Sequence, residues 1–225
     1  MAYQSVWYFT GLPKGIIEIL EKDLKGNYDD ILKPSKLGGD HINENIRNSK
    51  NAWIPTSHWV GGFIWHYVQK ANRSNFLYDL SHIDGETIQY TKYGVGDYYN
   101  WHQDSALNTH YRPIKTEQAA EGSLDDNDEF LINSVKINCE IIRKLSFSIQ
   151  LSDPDDYEGG NLQLMDENRK SYIAPRQRGS IILFDSRTPH RVQKVRSGER
   201  KSIVGWVVGP RWKYWQYKNG QRKDY

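Results

Sequence analysis

Cysteine is almost absent: a single residue, Cys139, stands among 225. An internal disulfide and a cysteine-rich zinc site are thereby excluded. The lone thiol reads as a buried structural one in a reducing compartment. Long apolar runs are missing too. No stretch of 18 or more apolar residues occurs, so no membrane-spanning helix is expected. The opening MAYQSVWYFTGLPKG lacks a charged segment followed by an apolar core, so no signal peptide is read and a cytoplasmic chain is the expectation. Charge of one sign is lacking as well. The chain has 30 Lys and Arg against 28 Asp and Glu, a net +2, so bulk electrostatics call for neither nucleic acid nor an anionic membrane.

Aromatic residues are plentiful, with 15 Tyr and 8 Trp. Such side chains suit pleated sheets and line binding grooves. The length predicts one domain over 1–225, with helical support over about 1–75, a β core over about 76–210 and a tail over 211–225. In LPKGIIEILEKDLKG, Ile16, Leu20 and Leu24 repeat at helical spacing, with Pro13 near the start and Gly26 just after the end. PTSHWVGGFIWHYVQKAN places Trp59, Phe63, Tyr67 and Ala71 on one stripe, with Val60, Ile64 and Val68 beside it. Thr56 or Ser57 is the expected cap. Gly61 and Gly62 weaken this helix by about 1 kcal/mol each relative to Ala and are expected to allow close packing against a sheet. His58 and His66 read as boundary histidines.

From residue 75 the period changes to two. NFLYDL, ETIQYTKYG, KLSFSIQLS, GNLQLMD, KSYIAP, GSIILFD, HRVQKV and RKSIVGWVV read as strands. DPDDYEGG, PRQRG and RSGE read as turns between them. Short strands without long intervening helices predict a mainly β fold, a sandwich or jelly roll, with the two helices on one outer face. The acidic segment within 107–142 has two readings, a substrate lid or a plain surface insertion.

YGVGDYYNWHQD, residues 93–104, holds the first chemical signal. If it continues as a strand, His102 and Asp104 are i and i+2 and face the same side. They supply two-thirds of a 2-His-1-carboxylate iron site. His followed two later by Asp arises by chance about once in two chains of this composition, so alone the pair reads better as a surface ion pair. Downstream, Pro189 stiffens the approach to His190, the candidate third ligand, expected to face His102 across the barrel. His41, His82 and His110 fall in turn-like or loop segments and read as surface residues. In RKSIVGWVV, Arg200, Ser202, Val204 and Trp206 share one face. A buried arginine is costly unless it meets an anion. Arg200 is therefore expected to grip a carboxylate, with Ser202 adding a hydroxyl, on a strand adjacent to that of His190 across the RSGE turn. An internal salt bridge is the competing explanation.

Together these segments resemble the iron(II)- and 2-oxoglutarate-dependent dioxygenases of the prolyl 4-hydroxylase-like branch. YGVGDYYNWHQD resembles its Y-G-x-G-x-x-Y-x-x-H-x-D segment. DPDDYEGGNLQL resembles the hairpin of bacterial PKHD-type hydroxylases, and GSIILFDSRTPHRVQKVRSGERKSIVGW its late His, Arg and Trp block. The resemblance implies a double-stranded β-helix, iron on His102, Asp104 and His190, and Arg200 on the distal carboxylate of 2-oxoglutarate. It also implies co-substrate contacts from Tyr93, Tyr99 and Trp206. It further implies O2 as oxidant, ascorbate as a reductant, and a protein or peptide substrate hydroxylated at proline. Animal and plant collagen-type enzymes carry lysine where this chain has Arg200. Trp101 stands where the family has Pro or a small residue and is expected to reshape the substrate mouth. Two other readings stay open. One is the same chemistry on a free amino acid, another small molecule or a nucleobase, for which the aromatic and basic tail PRWKYWQYKNGQRKDY could stack bases. The other is a non-catalytic metal-binding jelly roll.

Overall fold

The computed structural model describes residues 6–35, 46–84, 88–105, 141–210, 216–218 and 221–223. Cys139, His41, His110 and residues 106–140 of the acidic segment lie outside the described residues. Of the tail, only the backbone of a short hairpin is described.

The first elements are β1 (Val6–Phe9), α1 (Lys14–Tyr28), β2 (Lys33–Pro34), β3 (Arg47–Asn48), β4 (Lys50–Ile54) and α2 (Trp59–Ala71). Further strands follow: β5 (His82–Ile83), β6 (Ile88–Tyr93), β7 (Tyr98–His102), β8 (Ile141–Gln150), β9 (Tyr157–Gly159) and β10 (Leu162–Met165). The series ends with β11 (Ser171–Ile173), β12 (Ile181–Asp185), β13 (His190–Val192), β14 (Val195–Gly198) and β15 (Arg200–Pro210), then the hairpin β16 (Gln216–Lys218) and β17 (Gln221–Lys223). The large sheet runs β1-β12-β8-β15-β6-β4-β2, with β5 also paired to β15; the small sheet runs β11-β10-β13-β7-β3. From β6 onward the chain passes repeatedly between the sheets: β6, β8, β12 and β15 lie in the large one, β7, β10 and β13 in the small one. All pairings are antiparallel. This winding is the jelly roll expected from the short strands.

The two faces of the large sheet do different work because side chains alternate along each strand. On β8, Leu145, Phe147 and Ile149 join Ile203 and Val207 of β15 and Leu183 of β12 in one apolar core. Both helices close that face, burying Leu20 and Leu24 of α1 and Val60, Ile64 and Val68 of α2. The opposite face, toward the small sheet, carries Ser146, Ser148 and Gln150 of β8, all buried. It also carries Gln89 and Thr91 of β6 and Arg200 and Ser202 of β15, again buried. A separate apolar cluster of Leu162, Leu164, Ile182 and Phe184 fills part of the space between the sheets.

Several expectations are corrected. Helix α1 buries Ile17, Leu20, Leu24 and Tyr28, while Ile16 is exposed. Continuing to Tyr28 buries one more ring, so Gly26 lies inside the helix. In α2 the buried face is Val60, Ile64, Val68 and Ala71, and Trp59 is 44% exposed. Its cap is His58, whose ring accepts from the Val60 N–H, not Thr56 or Ser57. NFLYDL is not a strand. Residues Asn72–Phe76 form a π-helical turn, and the Asn72 side chain both accepts from the Tyr78 N–H at 2.8 Å and donates to its carbonyl at 2.9 Å. That closed loop satisfies backbone groups locally, with no sheet partner needed. His82, expected in a turn, begins β5 and is exposed. Within DPDDYEGG, Tyr157–Gly159 forms β9, paired to β14.

The two helix glycines separate cleanly. A Cβ on Gly61 would lie 2.5 Å from the Thr56 carbonyl oxygen, so the close approach is to the preceding turn, not to a sheet, whereas a Cβ on Gly62 meets nothing within 4 Å. Gly62→Ala is therefore expected to raise unfolding stability by about 1 kcal/mol. Gly61→Ala is expected to lower it, because backbone must move. Urea unfolding of the two variants checks the opposite signs.

Candidate metal centre

Strand β7 pairs with β13 so that His102 sits directly opposite His190. The register then shifts, with Val192 opposite Tyr99. Two residues of β13 thus span three of β7, a bulge that turns Tyr99 and His102 to the same side. The rings of Tyr99 and His102 stack with centroids 3.6 Å apart, and those of His102 and His190 lie 4.1 Å apart. The two histidines are thus cross-strand neighbours within the small sheet, not residues facing across the barrel.

Asp104 lies just beyond the end of β7. Its backbone N–H donates to the Ser186 carbonyl at 2.9 Å, as does that of Ser105 at 3.0 Å. The bend is thereby tied to the turn that leads into His190. Each histidine is oriented through the nitrogen facing away from the acid. His102 Nδ1 lies 2.7 Å from the Asn100 carbonyl and His190 Nδ1 2.9 Å from the Thr188 carbonyl. Donation there leaves Nε2 as the lone-pair nitrogen. Both Nε2 atoms turn to Asp104, at 3.7 Å from Oδ1 for His102 and 3.3 Å from Oδ2 for His190. Candidate ligand atoms of all three residues lie within 4.8 Å of one another. Ser146 donates to Asp104 Oδ2 at 2.6 Å and is itself 3.0 Å from the Ser186 hydroxyl.

The pocket holding this triad is walled by both sheets, with apolar sides from Leu162, Phe184, Val192 and Val204. Arg200 lines it at 1% exposure. Its Nη2 donates to Gln150 Oε1 at 3.0 Å, its Nη1 to Ser202 Oγ at 3.2 Å, and Tyr157 adds a side-chain hydrogen bond. The guanidinium lies 5.5 Å from the Tyr93 ring centroid. No described carboxylate pairs with it, so the internal salt bridge is not found among the described residues. A buried cation held only by neutral groups is a ready acceptor site for an anion.

The model of the 2OG-Fe(II) oxygenase superfamily matches residues 88–208. The chain belongs to this superfamily. It is 32% identical over 143 residues to a PKHD-type hydroxylase of Synechococcus elongatus, covering 62% of this chain and 52% of that protein. It is 44% identical over 63 residues to a PKHD-type hydroxylase of Parvibaculum lavamentivorans, covering 28% of each. The matched stretches thus span about half or less of these relatives. Among solved structures, a Pseudomonas putida prolyl-4-hydroxylase shares 17% identity at a TM-score of 0.61, covering 90% of this chain and 91% of that one. A Trichoplax adhaerens prolyl hydroxylase, solved with a hypoxia inducible factor peptide fragment, shares 17% identity at 0.64, covering 91% and 84%. These likenesses show the fold.

Within this oxygenase scaffold, Tyr93, Tyr99, Trp206, Arg200 and the His-Asp-His group all line one pocket. Ser202 does not line it; it is fully buried and bonded to Arg200. Arg200 and His190 are not on adjacent strands. β13 and β15 belong to different sheets, with β14 between them in the chain. Trp101 stays off the pocket wall, 4.8 Å under the guanidinium of Arg191, which alternates with the inward His190 and Val192. Trp101 is therefore absent from the described lining of the pocket. Sequence reasoning missed Ser146 and Gln150, whose signal was the polar alternation Ser146, Ser148, Gln150 between the apolar Leu145, Phe147 and Ile149. It also missed Arg47, on a strand of two residues that offers no period to read.

Electrostatics follow from burial. Burial and the neighbouring His190 hold the His102 imidazole well below its usual 6.5. Burial alone would raise Asp104, but the two imidazoles and the Ser146 hydroxyl outweigh it and hold the carboxyl below its usual 3.8. Burial also pushes the Tyr99 hydroxyl up to about 12. In metal-free protein, folded His102 therefore refuses a proton that the unfolded chain accepts. Its folded pKa is depressed, so stability falls as pH drops below about 6.5 and levels once the folded ring also protonates. Denaturant unfolding with chelator, from about pH 7 to about pH 5, is expected to show a shallower loss for His102→Gln than for the parent. Parallel slopes would contradict it.

Proposed function

We propose that this chain is a 2-oxoglutarate-dependent hydroxylase in which His102, Asp104 and His190 hold Fe(II) and Arg200 holds the far carboxylate of 2-oxoglutarate. The observation that carries the reading is one pocket with two kinds of unmet demand: a His-Asp-His group with both Nε2 atoms turned to one carboxylate, and a buried guanidinium with no counter-ion among the described residues. The donor set fits the metal. Two neutral imidazoles and a carboxylate on one side suit ferrous iron and leave open positions.

Bound there, Fe(II) with 2-oxoglutarate and O2 supplies oxidative decarboxylation to succinate and CO2 coupled to hydroxylation of a C–H bond. The chain's own residues set the stage. The Asn100 and Thr188 carbonyls fix the histidine rings, and Ser146 fixes the carboxylate. Gln150 and Ser202 hold the Arg200 fork in place, so that an incoming carboxylate is gripped in one orientation. Tyr93 stands opposite Arg200 in register on β6 and lines the same wall. The apolar side walls limit water near the reacting C–H bond.

Peptidyl proline, hydroxylated at C4, is the substrate we favour. It is suggested by the solved proteins that share the fold, a Pseudomonas putida prolyl-4-hydroxylase and the peptide-bound Trichoplax prolyl hydroxylase. Ascorbate as reductant, a cytoplasmic setting and one oxygenase domain over 1–225 belong to the same proposal. Asp104→Ala is expected to abolish both metal binding and succinate formation. Arg200→Gln is expected to keep the metal but weaken 2-oxoglutarate binding about 10- to 100-fold. Anaerobic Fe(II) titration with 2-oxoglutarate, followed by its charge-transfer absorption, measures both. Unchanged succinate yield from Asp104→Ala would end the metal assignment.

A further inference from the structure

A second arginine lines the same pocket. Arg47, on β3 beside β7, is 6% exposed. Its Nε donates to Ser49 Oγ at 2.9 Å and its Nη2 to Gln89 Oε1 at 3.2 Å. Its guanidinium lies 4.9 Å over the Tyr99 ring, whose other neighbour is the His102 ring at 3.6 Å. No described carboxylate pairs with it, and its Nη1 makes no hydrogen bond to the described residues. Arginine does not shed its proton when buried. Neutral acceptors and an aromatic face offset only part of the desolvation. Arg47 therefore repeats the pattern of Arg200, two ring layers from the metal-side imidazole.

The charges decide what Arg47 is for. Among the described lining of the pocket, with a divalent ion held by the triad and 2-oxoglutarate bound, Asp104 and the co-substrate bring three negative charges. The ion, Arg200 and Arg47 bring four positive ones. A 2-oxo diacid has two carboxylates, one for the metal side and one for Arg200, and none remains for Arg47. We propose that Arg47 is a specificity-determining anion seat that receives a carboxylate of the primary substrate. That carboxylate is an acidic side chain beside the hydroxylated residue, or the free carboxylate of an amino acid. The inference rests on the oxygenase reading above.

The test uses full-length protein loaded with Zn(II), which blocks turnover, and saturated with 2-oxoglutarate. Binding is followed by calorimetry and ligand-observed NMR. One pair of probes is acetyl-Glu-Pro-Glu-amide and its neutral isostere acetyl-Gln-Pro-Gln-amide; the other is L-proline and L-prolinamide. The parent is expected to bind the carboxylate member of at least one pair about tenfold or more tighter, and the pair that shows it names the source. Arg47→Gln is expected to erase the preference while still binding 2-oxoglutarate. Equal affinities in the parent, or a preference that survives Arg47→Gln, overturn the proposal. So does a loss of 2-oxoglutarate affinity in Arg47→Gln as large as in Arg200→Gln, which would assign Arg47 to the co-substrate. If Arg47→Gln loses its circular dichroism, Arg47→Lys decides: a reduced preference supports the seat and an unchanged one overturns it. A parent that binds neither Zn(II) nor 2-oxoglutarate sinks the oxygenase reading and this inference with it.

Discussion

The register of β7 against β13 is the constraint on which the site depends. Direct opposition of His102 and His190 puts two imidazoles side by side. The bulge that follows brings Tyr99 onto the outer side of His102. A slip of one residue would turn His190 to the face now occupied by Arg191 and remove both effects at once. The register is held by apolar contacts on the pocket side, where Tyr93, Val192 and Val195 cluster with Tyr99 against them. The turn between β12 and β13 is tied to the segment after β7 through Ser186, which accepts from both Asp104 and Ser105. Metal-side geometry is thus a product of backbone pairing, with side chains finishing what the strands begin.

A second constraint concerns the large sheet. Its strands carry an apolar face toward the helices and a polar face toward the small sheet. Burying Ser146, Ser148, Gln150, Gln89, Arg47, Arg200 and Ser202 between sheets is costly unless each group is hydrogen-bonded. Most are joined to one another: Gln150 to Ser148 and Arg200, Ser202 to Arg200, Gln89 to Arg47, Ser146 to Asp104. The Thr91 hydroxyl on this face of β6 has no hydrogen-bond partner among the described residues. Stability is supplied on the other side, where Leu20, Leu24, Ile64, Phe147 and Ile203 exclude water. The helical layer is the support that lets the inner face remain polar.

Much of this arrangement was legible in the sequence. The late strands announce themselves because GSIILFD and RKSIVGWVV combine β-branched runs with turn residues at both ends. Alternation along β15 placed Arg200, Ser202, Val204 and Trp206 on one side, as found. His102 and His190, far apart in the chain, were paired through their motif context. What was not legible has physical causes. A helix stripe can be read one residue off when apolar residues flank it on both sides, as Ile16 and Ile17 do in α1. NFLYDL alternates like a strand, yet the Asn72 amide satisfies the backbone locally and the segment never reaches a sheet. Arg47 sits on a two-residue strand, too short to carry a period, and its burial comes from tertiary contacts, with β7 beside it and Gln89 of β6 against its guanidinium.

Arg200 and Arg47 then appear as one design seen twice. Each is buried, each is held by a glutamine and a serine hydroxyl, and each lies near a tyrosine ring. Neutral partners of this kind orient a guanidinium without cancelling its charge, so the field it projects into the pocket stays positive. A glutamate in place of either glutamine would reach the same donors and cancel the charge. The choice of amide over acid at positions 89 and 150 therefore leaves both guanidinium charges uncancelled by the described residues, and it is made on the inner face of strands whose outer face is ordinary core.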